Sequence, residues 1–444
     1  MKPYMLMPLL AATLVHCNTA GHVRDTPTCQ AAPQRVSHAP RVADQLRDPA
    51  SWIAQLKRED ADRVLLSPAQ IEALNARNLE ANRAAFQDVL DPAIAAPQRV
   101  KAELGERLAW LDAKLESGAY HEVVTGSYSE AKARLAAAQE VDALHITAKE
   151  ADIRCVPMNE GLFTQPVDTA FDRNRCSRLH VGEVIRVLRT AADGAWLYVH
   201  AGHSVGWLYR PELSPAMQPE STSAYLGRSP HVVVTDDITV EGTSFRMGRR
   251  FPGQRTKDGG WALQVPTVDG TKTVNAPADA PLHLGAMPLT RATLWRLAMA
   301  RLGEPYGWGG YQGGRDCSRL LMDLFSVFGV RVGRHSLVQA HAGSVIVDMK
   351  TMTSPQKLKA LREAATSGVA LVYMPGHVML HLGEVDGRPY ALSSISEFVT
   401  PCAEGDQVMR LDQVTVSDYE LGRDTKRTAF IERITTLSIF GGPR

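Results

Sequence analysis

Pro305-Tyr306-Gly307-Trp308-Gly309-Gly310, then Gly314-Arg315-Asp316-Cys317-Ser318, is a glycine-rich loop that runs into the start of a helix. Asp316 is an N-cap residue whose carboxylate can accept from the free N–H groups of the first turn. Cys317 then falls in that first turn. Leu320, Leu321, Leu324, Phe325 and Phe328 recur at helical spacing and form one apolar face, and Gly329 suits the stop. Upstream, Thr290 caps a helix from Arg291 to Leu302, with Leu294, Leu297, Ala298 and Leu302 on one face. Downstream comes a helical stretch from Pro355 to Ala365. Strands follow at Val369 to Tyr373, His377 to Val385 and Tyr390 onward, the last two joined by an Asp386-Gly387 turn. Helices followed by an antiparallel sheet predict an α+β domain over 289–444.

The chain before that domain divides by composition. Residues 1–21 have a secretory signal layout: Lys2, an apolar run from Tyr4 to Val15, then small residues. That run is about a dozen residues, short of the roughly 20 that span a bilayer. Cys17 closes it, so attachment to a membrane follows only if Cys17 carries lipid. Residues 22–45 are rich in Pro, Thr, Arg and Ala without a period and read as a linker. Residues 46–148 read as a helical domain, with Leu104, Leu108 and Leu111 at spacings of four and three. From 149 to 215 short strands alternate with glycine turns: Gly182 to Leu188, Asp193-Gly194, Trp196 to Val199, and Gly206-Trp207-Leu208-Tyr209. Residues 216–288 repeat that character more weakly, with His231 to Val234 and Trp261 to Val265 as strands.

Cys317 at a helix start carries the chemistry. Free N–H groups and partial positive charge there favour a thiolate and predict a depressed thiol pKa. The same N–H groups can hold an oxyanion. A thiol nucleophile needs a base and an orienter for that base. His377, opening a strand after Pro375-Gly376, is the candidate base. The orienter is expected on the following strand. A two-residue turn puts Ser394 on the histidine face, whereas a longer turn with a bulge puts Ser393 there. His381 shares the face of His377 by strand parity and otherwise reads as a solvent-facing residue.

The P-Y-x-W-G-G and D-C-S motifs, followed by Gly376-His377-Val378-Met379-Leu380, resemble the NlpC/p60 cysteine peptidases. The D-G-x-W and G-W-L patterns resemble bacterial SH3-like domains. The resemblance implies a papain-like NlpC-type catalytic domain, two small β-barrel SH3-like domains at 149–215 and 216–288, and a helical N-terminal domain. It implies hydrolysis of the bond between γ-D-glutamate and a diamino acid, meso-diaminopimelate or lysine, in peptidoglycan stem peptides. It assigns Cys317 as nucleophile, His377 as base and Ser393 as the third group. It places the Tyr306 hydroxyl at the oxyanion, and Asp316, Ser318 and Trp308 around the substrate.

Two positions depart from that pattern. The third group is serine where the family usually has histidine. Relatives with SH3-like domains tend to read P-R-D-S where this chain reads Gly333-Arg334-His335-Ser336. The aspartate binds the free amino group of L-alanine in those relatives, so His335 and Ser336 make that selectivity an open matter. Glu160 or Glu183 of the first β unit could supply the missing carboxylate. A first β unit walling the site would admit short freed peptides and exclude cross-linked wall. The other readings are a peptidoglycan-binding protein whose peptidase site has decayed, and a related cysteine amidase or acyltransferase.

Composition narrows the field. The 444 residues are 44% hydrophobic and carry a net charge of +1, which gives no basic face for nucleic acid. None of the six cysteines forms a C-x-x-C pair, so no metal site is indicated, and the chemistry calls for no cofactor. Cys155 with Cys176 is the leading disulfide pair, without the sequence deciding it. The expected setting is the periplasm or cell envelope.

Overall fold

The computed structural model describes residues 28–82, 86, 88–227 and 230–442. The expected signal segment 1–21, Cys17 and the first residues of the 22–45 stretch lie outside them. Among the described residues no helix is long and apolar enough to cross a membrane.

A seven-stranded sheet positions the site. Its order is Gln34–Arg35, Gly405–Asp418, Arg388–Cys402, His377–Val385, Gly368–Met374, Thr436–Gly441, Val345–Asp348. Alternation along His377–Val385 sends side chains to opposite faces. Val378, Leu380 and Leu382 join the core shared with Leu320, Leu321, Leu324 and Phe325 of the Cys317–Ser326 helix. Met379 joins the opposite core, with Leu361 and Ala364 of the Ser354–Ser367 helix. The sheet is therefore buried on both sides. The Thr290-capped helix runs Arg291–Met299, with the Thr290 hydroxyl accepting from the Thr293 N–H at 3.1 Å.

The hairpin after the histidine differs from either register expected. Its turn is the two-residue Asp386-Gly387, both in the left-handed region (φ 50° and 75°), as a type I′ turn requires. The bulge lies inside the strand instead. Gly383 pairs with Tyr390 but His381 pairs with Ala391, so Leu382 is the extra residue. That shift puts Ser393 level with Met379, on the same side as His377. Ser394 goes to the other face.

The N-terminal region is not a helical unit standing alone. Helices occur at Pro49–Ile53, Arg58–Ala61, Pro68–Ala81, Pro97–Glu116 and Ser127–Ala136, but Gln139–Ile146 is a strand of the next sheet. Helix-forming alanines and glutamates upstream mask that change, which comes ten residues before 149. These helices bury themselves in other parts of the molecule. Trp52 packs edge-on against Trp295 and Tyr390 (6.5 and 5.8 Å between ring centres), while Val100 and Leu104 pack under Trp196 and Trp207. The stretch read as a linker is also anchored. Gln34–Arg35 adds a parallel edge strand, and Cys29 is bonded to Cys402.

Two further sheets fill the middle of the chain. The first orders Gln139–Ile146, Val184–Thr190, Trp196–Ala201, Ser204–Tyr209, Ala151–Arg154 and Arg175–Leu179, and Cys155 is bonded to Cys176 within it. The second orders Gly270–Ala276, Trp261–Thr267, Arg250–Arg255, His231–Val234 and Leu282–Leu284.

Candidate active site

Cys317 opens its helix with 8% of its surface exposed, and it is the free cysteine among the described residues. Asp316 caps that helix, accepting from the Arg319 N–H at 2.9 Å and from the Ser318 hydroxyl at 3.1 Å. Its carboxylate also takes the Gly309 N–H and both terminal nitrogens of Arg334, at 2.9 and 2.5 Å. Burial alone would raise the Asp316 pKa, but the Arg334 charge overcomes this and holds it below the usual range. Ser318 is buried and accepts from Arg334 at 2.9 Å.

The thiol departs from the helix-start expectation. Burial first, and the Asp316 carboxylate second, push Cys317 up to about 12. The Val378 N–H, the Arg334 charge and the Ser318 N–H favour the thiolate but do not overcome these two. The cap that starts the helix thus opposes the field of the helix. At neutral pH the resting group is a thiol.

The Cys317–Ser326 helix packs on the His377–Val385 strand, so the thiol lies near the start of the histidine strand, where the Val378 N–H favours its thiolate. His377 opens that strand, and its Nε2 is 3.1 Å from Ser393 Oγ. With Nε2 held by the serine, Nδ1 is the nitrogen left to face a proton donor. Burial first, then Arg433, lowers His377 to about 4, so the imidazole is neutral. Phe430 flanks the ring at 6.0 Å. Ser394 instead donates to the Arg315 carbonyl at 2.6 Å. His381 is buried rather than solvent-facing, with Nδ1 3.1 Å from the Tyr419 hydroxyl.

Tyr306 has its phenol close enough to Asp316 and Cys317 to sense both charges. Burial, then Asp316, raises its pKa well above the usual value, so it remains a hydroxyl donor. Its ring lies 5.7 Å from Phe171, and Trp308 lies 5.9 Å from the same phenylalanine. Phe171 comes from the first β unit, which presses on the glycine loop. A Cβ on Gly309 would stand 2.7 Å from Arg175 Cγ and 2.9 Å from its carbonyl oxygen. One on Gly310 would stand 2.6 Å from Arg178 Cβ. Both glycines also adopt positive φ, 57° and 87°. Arg334 donates to the Ser177 hydroxyl and Arg319 to the Arg178 carbonyl, which ties the cysteine helix to that unit.

His335 stands at the N-cap of the short Ser336–Gln339 helix, makes no side-chain capping hydrogen bond and is exposed, while Ser336 is half-buried. Surrounding protein first, and Arg334 second, hold His335 below its usual range, so it is neutral at pH 7. Glu183 is committed elsewhere: it is buried, 2.7 Å from His203 and 2.8 Å from Arg249. Glu160 is half-buried, and its carbonyl accepts from Arg154 and Asn174. Sequence reading missed Arg334 as the partner of Asp316, and it missed Phe171 and Arg173. The D-C-S and R-H-S motifs contain one such pair, but nothing local says that they meet.

Residues 161–209 match the family model of the SH3 domain, SH3b1 type. A solved structure described as a novel NlpC/P60 endopeptidase from Photobacterium damselae subsp. piscicida is similar at a TM-score of 0.70 and 15% identity. The match covers 94% of this chain and 100% of that one. The chain has the NlpC/P60 fold. A second solved NlpC/P60 family protein, from Bacillus cereus ATCC 10987, has a TM-score of 0.46 and 16% identity over 67% of this chain and 99% of its own. No curated protein matches the chain. In this NlpC/P60 fold, no group of His, Cys, Asp and Glu among the described residues is arranged to hold a metal ion.

Proposed function

We propose that this chain is an exported cysteine peptidase that cleaves the γ-D-glutamyl–diamino acid bond of peptidoglycan stem peptides. The observation that carries the reading is the packing of the helix that Cys317 opens on the strand that His377 opens, with a neutral His377 held by Ser393. In the reaction His377 Nδ1 takes the thiol proton as sulfur attacks the carbonyl carbon. A C–S bond forms, and the carbonyl electrons move to oxygen. Helix-start N–H groups and the Tyr306 hydroxyl are the donors for that oxyanion. The imidazolium then protonates the departing amine, the C–N bond breaks, and water hydrolyses the thioester. Because thiol and imidazole both rest neutral, proton transfer accompanies attack rather than preceding it.

The walling of the loop by Phe171 and its strand neighbours supports short freed peptides over cross-linked wall. A neutral His335 can accept a hydrogen bond from an ammonium group, but it supplies no charge. Purified protein given L-Ala-γ-D-Glu-diaminopimelate should release the diamino acid, identified by mass. Cys317→Ala should abolish release with an unchanged circular dichroism spectrum. Turnover in that variant would overturn the reading; hydrolysis at a different amide bond would favour an amidase, and an acyl-exchanged product an acyltransferase. Free tripeptide should be consumed while intact sacculi are spared.

A further inference from the structure

Arginines of the first β unit and its neighbours are almost all matched to carboxylates. Arg154 lies 2.8 Å from Asp172, Arg175 2.6 Å from Asp152, and Arg178 2.8 Å from Glu150. Arg410 lies 2.7 Å from Asp168. Arg173 and Arg210 differ: no carboxylate partners either guanidinium among the described residues, and Arg210 lies over the Tyr209 ring. Arg173 stacks over the Trp308 ring, 4.5 Å from the ring centre, and lies 5.8 Å from that of Phe171. Its charge is sensed by the Tyr306 phenol, which also senses Cys317. The cation therefore stands on the Tyr306–Trp308 side of the thiol.

Two donors there lack acceptors. Arg173 Nε and Trp308 Nε1 are buried, and neither has a hydrogen-bond partner among the described residues. Such groups also occur on Trp207, Trp261, Trp295 and Arg175, but these two, each costing about 1–3 kcal/mol, sit on stacked side chains beside the thiol and form one donor pair. Both can only donate. The complementary group has oxygen acceptors only, carries negative charge and is planar enough to lie along a guanidinium edge, which describes a carboxylate. The stacking on Trp308 also holds the guanidinium in place, so little side-chain freedom is lost on binding.

We infer that Arg173, with the Trp308 indole N–H, is the anchor for a carboxylate of the substrate, so that the first β unit supplies a specificity residue beside the thiol. The inference rests on the peptidase reading for the identity of the ligand. Stem peptides offer two sources of this chemistry near the cut bond: the α-carboxylate of D-glutamate and a carboxylate of the diamino acid.

The test uses three synthetic peptides: L-Ala-γ-D-Glu-diaminopimelate, the same peptide amidated at the D-glutamyl α-carboxylate, and the same peptide amidated at the diaminopimelate carboxylates. Each is assayed with the wild type, Arg173→Met and Arg173→Lys. Methionine should lower kcat/KM for the unmodified peptide about 10–100-fold, chiefly through KM, the usual weight of a charge-assisted contact. Lysine should restore part of it. One amidated peptide should show the same loss with the wild type and little further loss with methionine, which identifies the anchored carboxylate. Equal losses on all three peptides, or none, would overturn the inference. Calorimetric binding of the peptides to Cys317→Ala, with and without Arg173→Met, reads the anchor apart from turnover. If the wild type cleaves none of the peptides, the peptidase reading fails, while carboxylate-dependent binding still upholds the anchor. Absence of binding by any of them overturns the anchor as well.

Discussion

His377 Nε2 and the Ser393 hydroxyl lie 3.1 Å apart, and that contact fixes which ring nitrogen is free. A hydroxyl holds an imidazole without adding negative charge behind it, so the serine orients and does not strengthen the base. Ser393→Ala should lower kcat about 10–100-fold and leave KM within about threefold, as misplacement of a reacting group does. Steady-state kinetics on the tripeptide checks this, and an unchanged kcat would show that the serine is idle.

Cys317, pushed up to about 12, should alkylate slowly at neutral pH. A raised thiol pKa means that the thiolate fraction keeps growing far above pH 8. The rate with iodoacetamide should therefore climb through pH 10. A plateau below pH 8 would contradict this. With His377 at about 4, the acid limb of kcat/KM should fall near pH 4 instead of near 6.5.

Asp316→Asn removes the carboxylate that pairs with buried Arg334 and raises the thiol. Breaking such a pair leaves one charge buried alone and costs about 3–5 kcal/mol. The variant should unfold at lower denaturant, yet its Cys317 should alkylate faster at pH 8. Chemical denaturation and the alkylation rate measure the two effects separately.

His180 and His381 are buried, and burial lowers both to about 4. The unfolded chain binds protons at these residues below about 6.5, whereas the folded chain does not until about 4. Stability should therefore fall as pH drops from 6.5 to 4, by at most about 1.4 kcal/mol per pH unit for each histidine. Scanning the melting temperature from pH 7 to 5 tests this. His381→Gln should flatten the slope, and an unchanged slope would remove His381 from the account.

Replacing both Cys29 and Cys402 by serine should cost about 2–4 kcal/mol, the usual range for a lost cross-link, without altering kcat. Thermal melts of the variant and the unaltered protein, both without reductant, measure the difference while leaving Cys155–Cys176 intact.

Local signals in the sequence located much of this architecture. The Thr290 cap, the apolar stripe from Leu320 to Phe325 and the Asp386-Gly387 turn are each written within a few residues, and each appears where it was read. What depends on two distant segments meeting was not legible. The bulge at Leu382 decides between Ser393 and Ser394, but leucine at that position carries no bulge signal; that His381 meets Tyr419 depends on a segment 38 residues away. The thiol pKa departs from the helix-start expectation for a similar reason. The helix start is visible locally, whereas its burial and the effect of an ionised Asp316 arise from the assembled site. Arg334 and Arg173 became interpretable only through what each does or does not face.

The bond between Cys29 and Cys402 also sets an order of events in biosynthesis. Its partners are 373 residues apart, so Cys29 must wait for nearly the whole chain to be made before its mate exists. Gln34–Arg35 waits likewise for Gly405–Asp418 to pair with it. The first described residues are thus among the last to settle. A ribosome-bound fragment ending before residue 402 would carry Cys29 free for the wrong thiol.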